Sequence, residues 1–111
     1  MNKQLLVSVN IRTYNSEKTL RQTLESVKNQ TYKKIEILVS DGYSKDSSVD
    51  IAKEFGSKVS FADKLGDARI QNYKDSDGEY ILSLDSDQIL EPKVVEECVG
   101  LCTKEKFDAL I

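Results

Sequence analysis

The chain has 111 residues and a formal net charge of −3, with 39% hydrophobic and 32% charged residues. This length allows one domain with a core of its own, and the charge balance gives no electrostatic support for broad nucleic-acid binding. Histidine is absent, which excludes an imidazole base and a His-ligated zinc site. Any metal is then expected to be held by carboxylates, carbonyls, phosphate oxygens and water, a ligand set that suits hard cations.

The first predicted elements are a strand and a helix. Leu5–Ile11 is apolar and β-branched, which predicts a buried strand, and residues 12–15 follow as a loop. Asn15 or Ser16 is expected to cap a helix that ends near Gln30. The apolar face of this helix is formed by Leu20, Leu24 and Val27.

A second strand–helix unit follows. Ile35–Ser40 is again an apolar run, and residues 41–46 form the loop after it. Asp46 or Ser47 is expected to cap a helix that continues through Phe55.

The remaining elements are shorter. Lys58–Phe61 predicts a third strand, and a helix is expected near Asp67–Lys74. Tyr80–Leu84 predicts a fourth strand, and Pro92 sits where the first turn of a helix tolerates proline. Residues 108–111 are interpreted as the start of a fifth strand.

The alternation of strands and helices indicates the fold class. Because the strands are near-continuous apolar runs, the pattern predicts an α/β fold with a mostly parallel sheet and helices on both faces. An exposed edge of such a sheet is also the basis for the hypothesis of a homodimer.

Three polar segments follow apolar strands, at residues 12–15, 41–46 and 85–87. Ligands of open parallel sheets bind beyond the carboxyl ends of the strands, so these segments are expected to form one site. Asp85 and Asp87 repel each other unless a cation lies beside them, which predicts a divalent metal on a diphosphate. The alternative is a polar loop in which Asp87 caps a helix.

Four other residues are candidates for ligand contact. Asp41 can accept hydrogen bonds from a base or a ribose, or from its own turn. Thr13 and Tyr14 offer backbone groups and a ring to a nucleobase, although an aromatic residue at a strand end is more often a packing residue. Arg69 lies on the helix after the third strand, where an arginine is more often only solvated.

The cellular location is predicted from the lack of a membrane span, a signal peptide and a disulfide scaffold in the sequence. No apolar run approaches the roughly 20 residues of a membrane span, and no signal peptide is recognisable. Cys98 and Cys102 are too few for a disulfide scaffold. These features predict a cytoplasmic protein without a transmembrane segment, with a peripheral position at the inner membrane surface as the alternative.

Five ordered segments match the pattern of one family. Val7–Asn15 resembles VSVVIPTYN, Leu24–Tyr32 resembles LxSVxxQTY, and Glu36–Asp46 resembles EIIVVDDGSTD. Gly66–Arg69 resembles GxxARN, and Gly78–Asp87 resembles GEYIxFLDSDD. Together these segments resemble the family 2 glycosyltransferases.

The resemblance implies a GT-A fold and metal-dependent, inverting transfer of a sugar from a nucleotide-diphosphate sugar to an acceptor saccharide, lipid or protein. It implies a cofactor, Mn²⁺ or Mg²⁺, held by Asp85 and Asp87. The residues that would bind the nucleotide sugar are Thr13, Tyr14, Asp41, Arg69 and Asp85.

The chain departs from the family pattern at two positions. Arg12 stands where the family often has proline, and Gly42 stands where many members have a second aspartate. Residues 1–111 are interpreted as the sugar-nucleotide-binding portion of a glycosyltransferase domain without the acceptor-binding half, with the catalytic base expected beyond residue 111. The alternative is a nucleotide-binding module without turnover. A Rossmann dehydrogenase is disfavoured because no G-x-G-x-x-G follows the first strand.

Overall fold

The structure is a computed structural model that describes residues 5–105, with no side-chain detail at positions 65, 66, 68, 69 and 102–105. The elements in chain order are β1 (Val7–Thr13), α1 (Glu17–Lys28), β2 (Ile35–Asp41), α2 (Ser48–Glu54), β3 (Lys58–Phe61), α3 (Leu65–Asp75), β4 (Tyr80–Asp85) and α4 (Val94–Glu105). The predicted fifth strand at residues 108–111 lies outside the described residues.

The sheet has the predicted parallel arrangement. Its four described strands lie in the order β3-β2-β1-β4, and every neighbouring pair is parallel. The first strand in the chain therefore lies at the centre of the sheet, hydrogen-bonded on both sides. This position explains why Val7, Val9 and Ile11 are completely buried and why the strand is a continuous apolar run.

The helices cover both faces of the sheet, as predicted. Val9 and Ile11 belong to the same buried core cluster as Leu24 of α1. Successive side chains of a strand point to opposite faces, and Asn10 accepts a hydrogen bond on its Oδ1 from Ser76, which directly follows α3, at 3.2 Å. Helix α3 therefore covers the face opposite α1.

Three strands extend further at their carboxyl ends than the sequence predicted, β4 by one residue to Asp85. β1 continues through Arg12 and Thr13, and β2 continues through Asp41, because Arg12 and Thr13 stay in register with Ser40 and Asp41. The segments predicted to be loops at these positions are thus strand ends with a fixed backbone. This correction matters for the site, since the backbone of Arg12, Thr13 and Asp41 is fixed by the sheet itself.

The helix caps lie at the predicted positions, but the side chains that bond the helix starts are not all the expected ones. Ser16 and Ser47 occupy the N-cap positions of α1 and α2, but neither side chain makes a capping hydrogen bond. Asp46 caps both helices instead: its Oδ2 accepts from the amide of Glu17 at 3.1 Å and its Oδ1 from the amide of Ser48 at 2.9 Å. Burial raises the pKa of Asp46, but the hydrogen bonds from Ser48 and the amides outweigh it, so the pKa lies below its ordinary value.

A charged cluster closes the amino end of the sheet. Glu36 accepts hydrogen bonds from the hydroxyl of Ser8 and, at 2.6 Å, from the amide of Asp77. Lys58 lies 2.8 Å from a carboxylate oxygen of Glu36 and 2.8 Å from one of Asp77. Burial acts to raise the pKa of Glu36, but the bonds from Lys58, Ser8 and Asp77 together hold it below its ordinary value.

Candidate functional site

The acidic turn, Asp85-Ser86-Asp87, begins at the carboxyl end of β4 and continues in a turn. The amide of Asp85 donates to the side-chain Oε1 of Gln88 at 2.7 Å, and the amide of Gln88 donates to the carbonyl of Asp85 at 3.1 Å. Both aspartate side chains are exposed. Hydrogen bonds of backbone groups therefore hold the turn, which leaves both carboxylates available to a ligand.

A row of polar side chains along α1 fixes the position of this turn. The row, called the polar stripe below, recurs every three or four residues and consists of Ser16, Thr19, Thr23, Ser26 and Gln30. The carbonyl of Ser86 accepts from the hydroxyls of Thr19 and Thr23, each at 3.0 Å, and the hydroxyls of Ser16 and Ser86 lie 3.0 Å apart. Helix α1 thus holds Ser86 by three hydrogen bonds.

The other end of the stripe holds the segment that follows the turn. Ser26 Oγ accepts from the amide of Leu90 at 3.1 Å. Gln30, which is completely buried, donates to the carbonyl of Glu91 at 2.8 Å and accepts from the amide of Val95 at 3.0 Å. Sequence reasoning identified the apolar face of α1 and missed this stripe, although its helical spacing was visible.

Asp41 lies at the predicted edge, but its side chain is completely buried. Its Oδ1 accepts from the hydroxyls of Thr13 at 2.7 Å and Ser44 at 2.6 Å, and its Oδ2 accepts from the amide of Ser44 at 2.7 Å. In this arrangement the carboxylate joins the end of β1 to the loop after β2. A direct contact between Asp41 and a ligand stays a prediction.

Two clefts lie side by side at the carboxyl ends of the strands. The first, of about 570 Å³ and called the tyrosine cleft, is lined by Arg12, Thr13, Tyr14, Ser16, Gly42, Ala62, Asp63, Lys64 and Ser86. The second, of about 450 Å³ and called the acidic cleft, is lined by Arg12, Asn15, Ser16, Lys18, Thr19, Asp85, Ser86 and Asp87. Because Arg12, Ser16 and Ser86 line both, one elongated ligand can extend through the two clefts.

The predicted site residues separate into four groups. Thr13 and Tyr14 line the tyrosine cleft, with the Tyr14 side chain exposed, and Asp85 and Asp87 line the acidic cleft. Asp41 is buried and lines neither of these two clefts. Arg69 belongs to α3, and its side chain lies outside the described part of the structure.

The acidic cleft has a charge composition that the sequence did not reveal. Its carboxylates, Asp85 and Asp87, face two cations, Arg12 and Lys18. No group of three or more His, Cys, Asp or Glu side chains within the described residues could hold a metal ion. Two carboxylates nevertheless suit Mg²⁺ or Mn²⁺, since such ions bind through one or two carboxylates together with substrate phosphates and water. The donor set therefore fits a metal that arrives with a phosphorylated ligand.

A helix that crosses a membrane must be both long and apolar. Between residues 5 and 105, no helix is both long and apolar enough to cross a membrane.

Comparisons with known proteins give a consistent result. The model of the family described as glycosyl transferase family 2 matches residues 8–111. An uncharacterized glycosyltransferase of Rickettsia typhi is 34% identical over 103 residues, covering 89% of this chain and 32% of the relative. The chain thus spans about a third of the length of that relative.

Solved structures share the fold. S. aureus TarS 1-349 in complex with UDP superposes with a TM-score of 0.83 at 26% identity, covering 91% of this chain and 33% of that protein. A mannosyltransferase of Pyrobaculum calidifontis, in complex with GDP-Man and Mn²⁺, gives a TM-score of 0.78 at 18% identity, over 90% of this chain and 33% of that one. The second likeness is evidence for the fold alone.

Proposed function

Because this chain belongs to glycosyl transferase family 2, we propose that it is the donor-binding part of a metal-dependent glycosyltransferase that uses a nucleotide-diphosphate sugar. The observation that carries the proposal is the pair of adjoining clefts, one with an exposed tyrosine and one with two carboxylates. A nucleobase suits the first and a metal-bound diphosphate suits the second. The complexes of TarS with UDP and of the P. calidifontis enzyme with GDP-Man and Mn²⁺ support this class of ligand.

The residues have separate roles in this proposal. Tyr14, whose side chain is 61% exposed, offers its ring to the nucleobase, and Thr13 lines the same cleft. Asp41 holds Thr13 and Ser44 in place, and its buried carboxylate must become accessible before it can contact the base or ribose. The proposed position of Arg69 is near the base or the diphosphate.

Asp85 and Asp87 are the proposed metal ligands, with Asp85 also within reach of the ribose. When bound, Mn²⁺ or Mg²⁺ supplies Lewis-acid stabilisation to the departing nucleoside diphosphate. The polar stripe keeps the carboxylates in position through the Ser86 carbonyl. We place the catalytic base for an inverting displacement outside these residues, because none of them matches the family's later carboxylate.

The metal role is tested by calorimetry of UDP and GDP binding with Mn²⁺ and with EDTA. Asp87→Asn removes one metal ligand from an exposed position, so we expect it to abolish the Mn²⁺-dependent gain in affinity, on the order of tenfold or more. Affinity in EDTA should stay the same or rise, since a negative charge is lost beside a diphosphate. Asp50→Asn makes the same change on the exposed side of α2 and should bind like the wild type.

Equal Mn²⁺-dependent affinity of Asp87→Asn and the wild type would refute the metal role. A transfer assay separates the enzyme from the alternative, a nucleotide-binding module without turnover. We expect this chain alone to transfer sugar poorly, because a missing general base typically costs about 10²–10⁴-fold in rate. Robust transfer to a simple acceptor would mean that these residues contain a base.

A further inference from the structure

Arg12 occupies a central place between the two clefts. It is the penultimate residue of β1, and its Cα is paired with Ser40 of β2 on one side and Asp85 of β4 on the other. Its side chain is exposed, unlike the rest of the strand. Of the described residues, Arg12 is the only charged one that lines both clefts. A ligand that extends from one cleft to the other must pass this guanidinium.

The positive charge of Arg12 is not used within the described part of the protein. No carboxylate described there lies within 4.0 Å of its guanidinium, and no described group hydrogen-bonds to its side chain. Asp85 is the neighbour of Arg12 in strand register, yet the two side chains do not form an ion pair. An arginine fixed on the central strand without a partner is available to an anionic ligand.

The sequence pattern indicates that the fold does not require this charge. The family motif has proline at this position, and proline carries no charge. Arginine therefore adds a cation at a point of the site that the common pattern leaves uncharged. A guanidinium presents several N–H donors in a planar fork, which matches the oxygens of a phosphate group in a bidentate arrangement.

We propose that Arg12 binds the diphosphate of the donor directly, as a protein cation in addition to the metal, so that the chain keeps measurable nucleotide affinity when no metal is present. This inference rests on the proposed donor function. Its electrostatic basis is the composition of the acidic cleft, where Arg12 and Lys18 offset Asp85 and Asp87. With proline in place of Arg12, a metal-free diphosphate would meet a net negative cleft.

The test uses ligands that separate the diphosphate from the nucleoside. Binding of UDP, uridine and inorganic pyrophosphate is measured by calorimetry in EDTA and in Mn²⁺, with the GDP and guanosine pair run in parallel. We expect Arg12→Gln to weaken diphosphate and pyrophosphate binding in EDTA on the order of tenfold, the scale of one charge-assisted hydrogen-bond pair. Nucleoside binding should not change, and Arg12→Lys should recover part of the loss as a point charge.

The matched control is Arg21→Gln, which changes the net charge equally. Arg21 lies on α1 in an exposed ion pair with Glu54, and it lines neither cleft. Melting curves establish that every variant is folded. Equal UDP affinity of Arg12→Gln and the wild type in EDTA would overturn the inference, and so would a parallel loss of nucleoside binding, because that result assigns Arg12 to the base.

The outcomes also separate this inference from the proposed function. If the wild type binds no nucleotide with or without Mn²⁺, the donor site itself is refuted, and the inference with it. If the wild type binds UDP or GDP, and Asp87→Asn abolishes the Mn²⁺ effect while Arg12→Gln changes nothing, only the role of Arg12 is lost.

Discussion

Replacing Gln30 with leucine tests whether the polar stripe holds the site together. Gln30 is completely buried and makes three hydrogen bonds, to the carbonyls of Ser26 at 3.0 Å and Glu91 at 2.8 Å and from the amide of Val95 at 3.0 Å. Leucine has a similar size, so the substitution removes the hydrogen bonds and leaves little cavity. The expected loss of stability therefore measures the polar contacts rather than packing.

The expected change in the free energy of unfolding follows from the groups that lose Gln30 as a hydrogen-bond partner. Glu91 is exposed, so water can replace Gln30 at its carbonyl. The Val95 amide and the Ser26 carbonyl belong to buried residues, and each buried group without a partner costs about 1–3 kcal/mol. Burial of a leucine in place of an amide offsets about 1–2 kcal/mol of this. We expect the free energy of unfolding to fall by about 2–3 kcal/mol, a large share of the 5–15 kcal/mol of a typical domain.

The assay is equilibrium unfolding in urea, followed by far-ultraviolet circular dichroism. Gln22→Leu is the matched control, because Gln22 lies on the exposed side of α1; it should change stability by less than about 0.5 kcal/mol. Hydrogen exchange at the Val95 amide should accelerate only in Gln30→Leu. If both variants unfold at the same urea concentration, the stripe does not support the turn and α4 as described.

Two further predictions concern the amino end of the sheet. A Cβ on Gly78 would lie 2.5 Å from Ser8 Oγ and 2.7 Å from the Ser8 amide, so Gly78→Ala should lower the free energy of unfolding by about 1–3 kcal/mol. The control is Gly100→Ala in α4, where no atom lies within 4 Å of the added Cβ; it should raise the free energy of unfolding by up to about 1 kcal/mol. Equal urea midpoints for the two variants would contradict the clash at Gly78. The pKa of Glu36 is lowered in the folded protein. Its carboxylate therefore contributes its full stabilisation above the ordinary pKa of 4.5, and this contribution is lost as the pH falls through the lower folded value. Urea midpoints should therefore drop more steeply between pH 6 and pH 3 in the wild type than in Glu36→Gln, and parallel curves would disprove the role of the carboxylate.

The sequence predicted those features that local patterns determine. Apolar runs such as Ile35–Ser40 became buried strands of a parallel sheet, and the ordered motifs identified the family, which the family model confirmed. The position of Asp85 and Asp87 beyond a buried strand was enough to bring them to one cleft. In each case the information lay within a short stretch of chain.

Features that depend on distant partners were not predictable in this way. The hydroxyls of Thr19 and Thr23 bind the carbonyl of Ser86, more than 60 residues further along the chain, and nothing near either threonine indicates that partner. Asp46 was expected to cap one helix and caps two, because folding brings the amide of Glu17 to it. Sequence shows which groups can form hydrogen bonds, whereas the fold decides which partners they meet.

The polar stripe has a consequence for how the chain can change length during evolution or engineering. Each residue of an α-helix adds about 100° of rotation, so one residue inserted between Thr19 and Thr23 would turn the hydroxyl of one away from the carbonyl that both now share. The same rotation would also turn the buried apolar residues after the insertion away from the core. Indels in α1 should therefore be far rarer among relatives than indels in the segment at residues 62–64, which no such row of bonds constrains in the described structure.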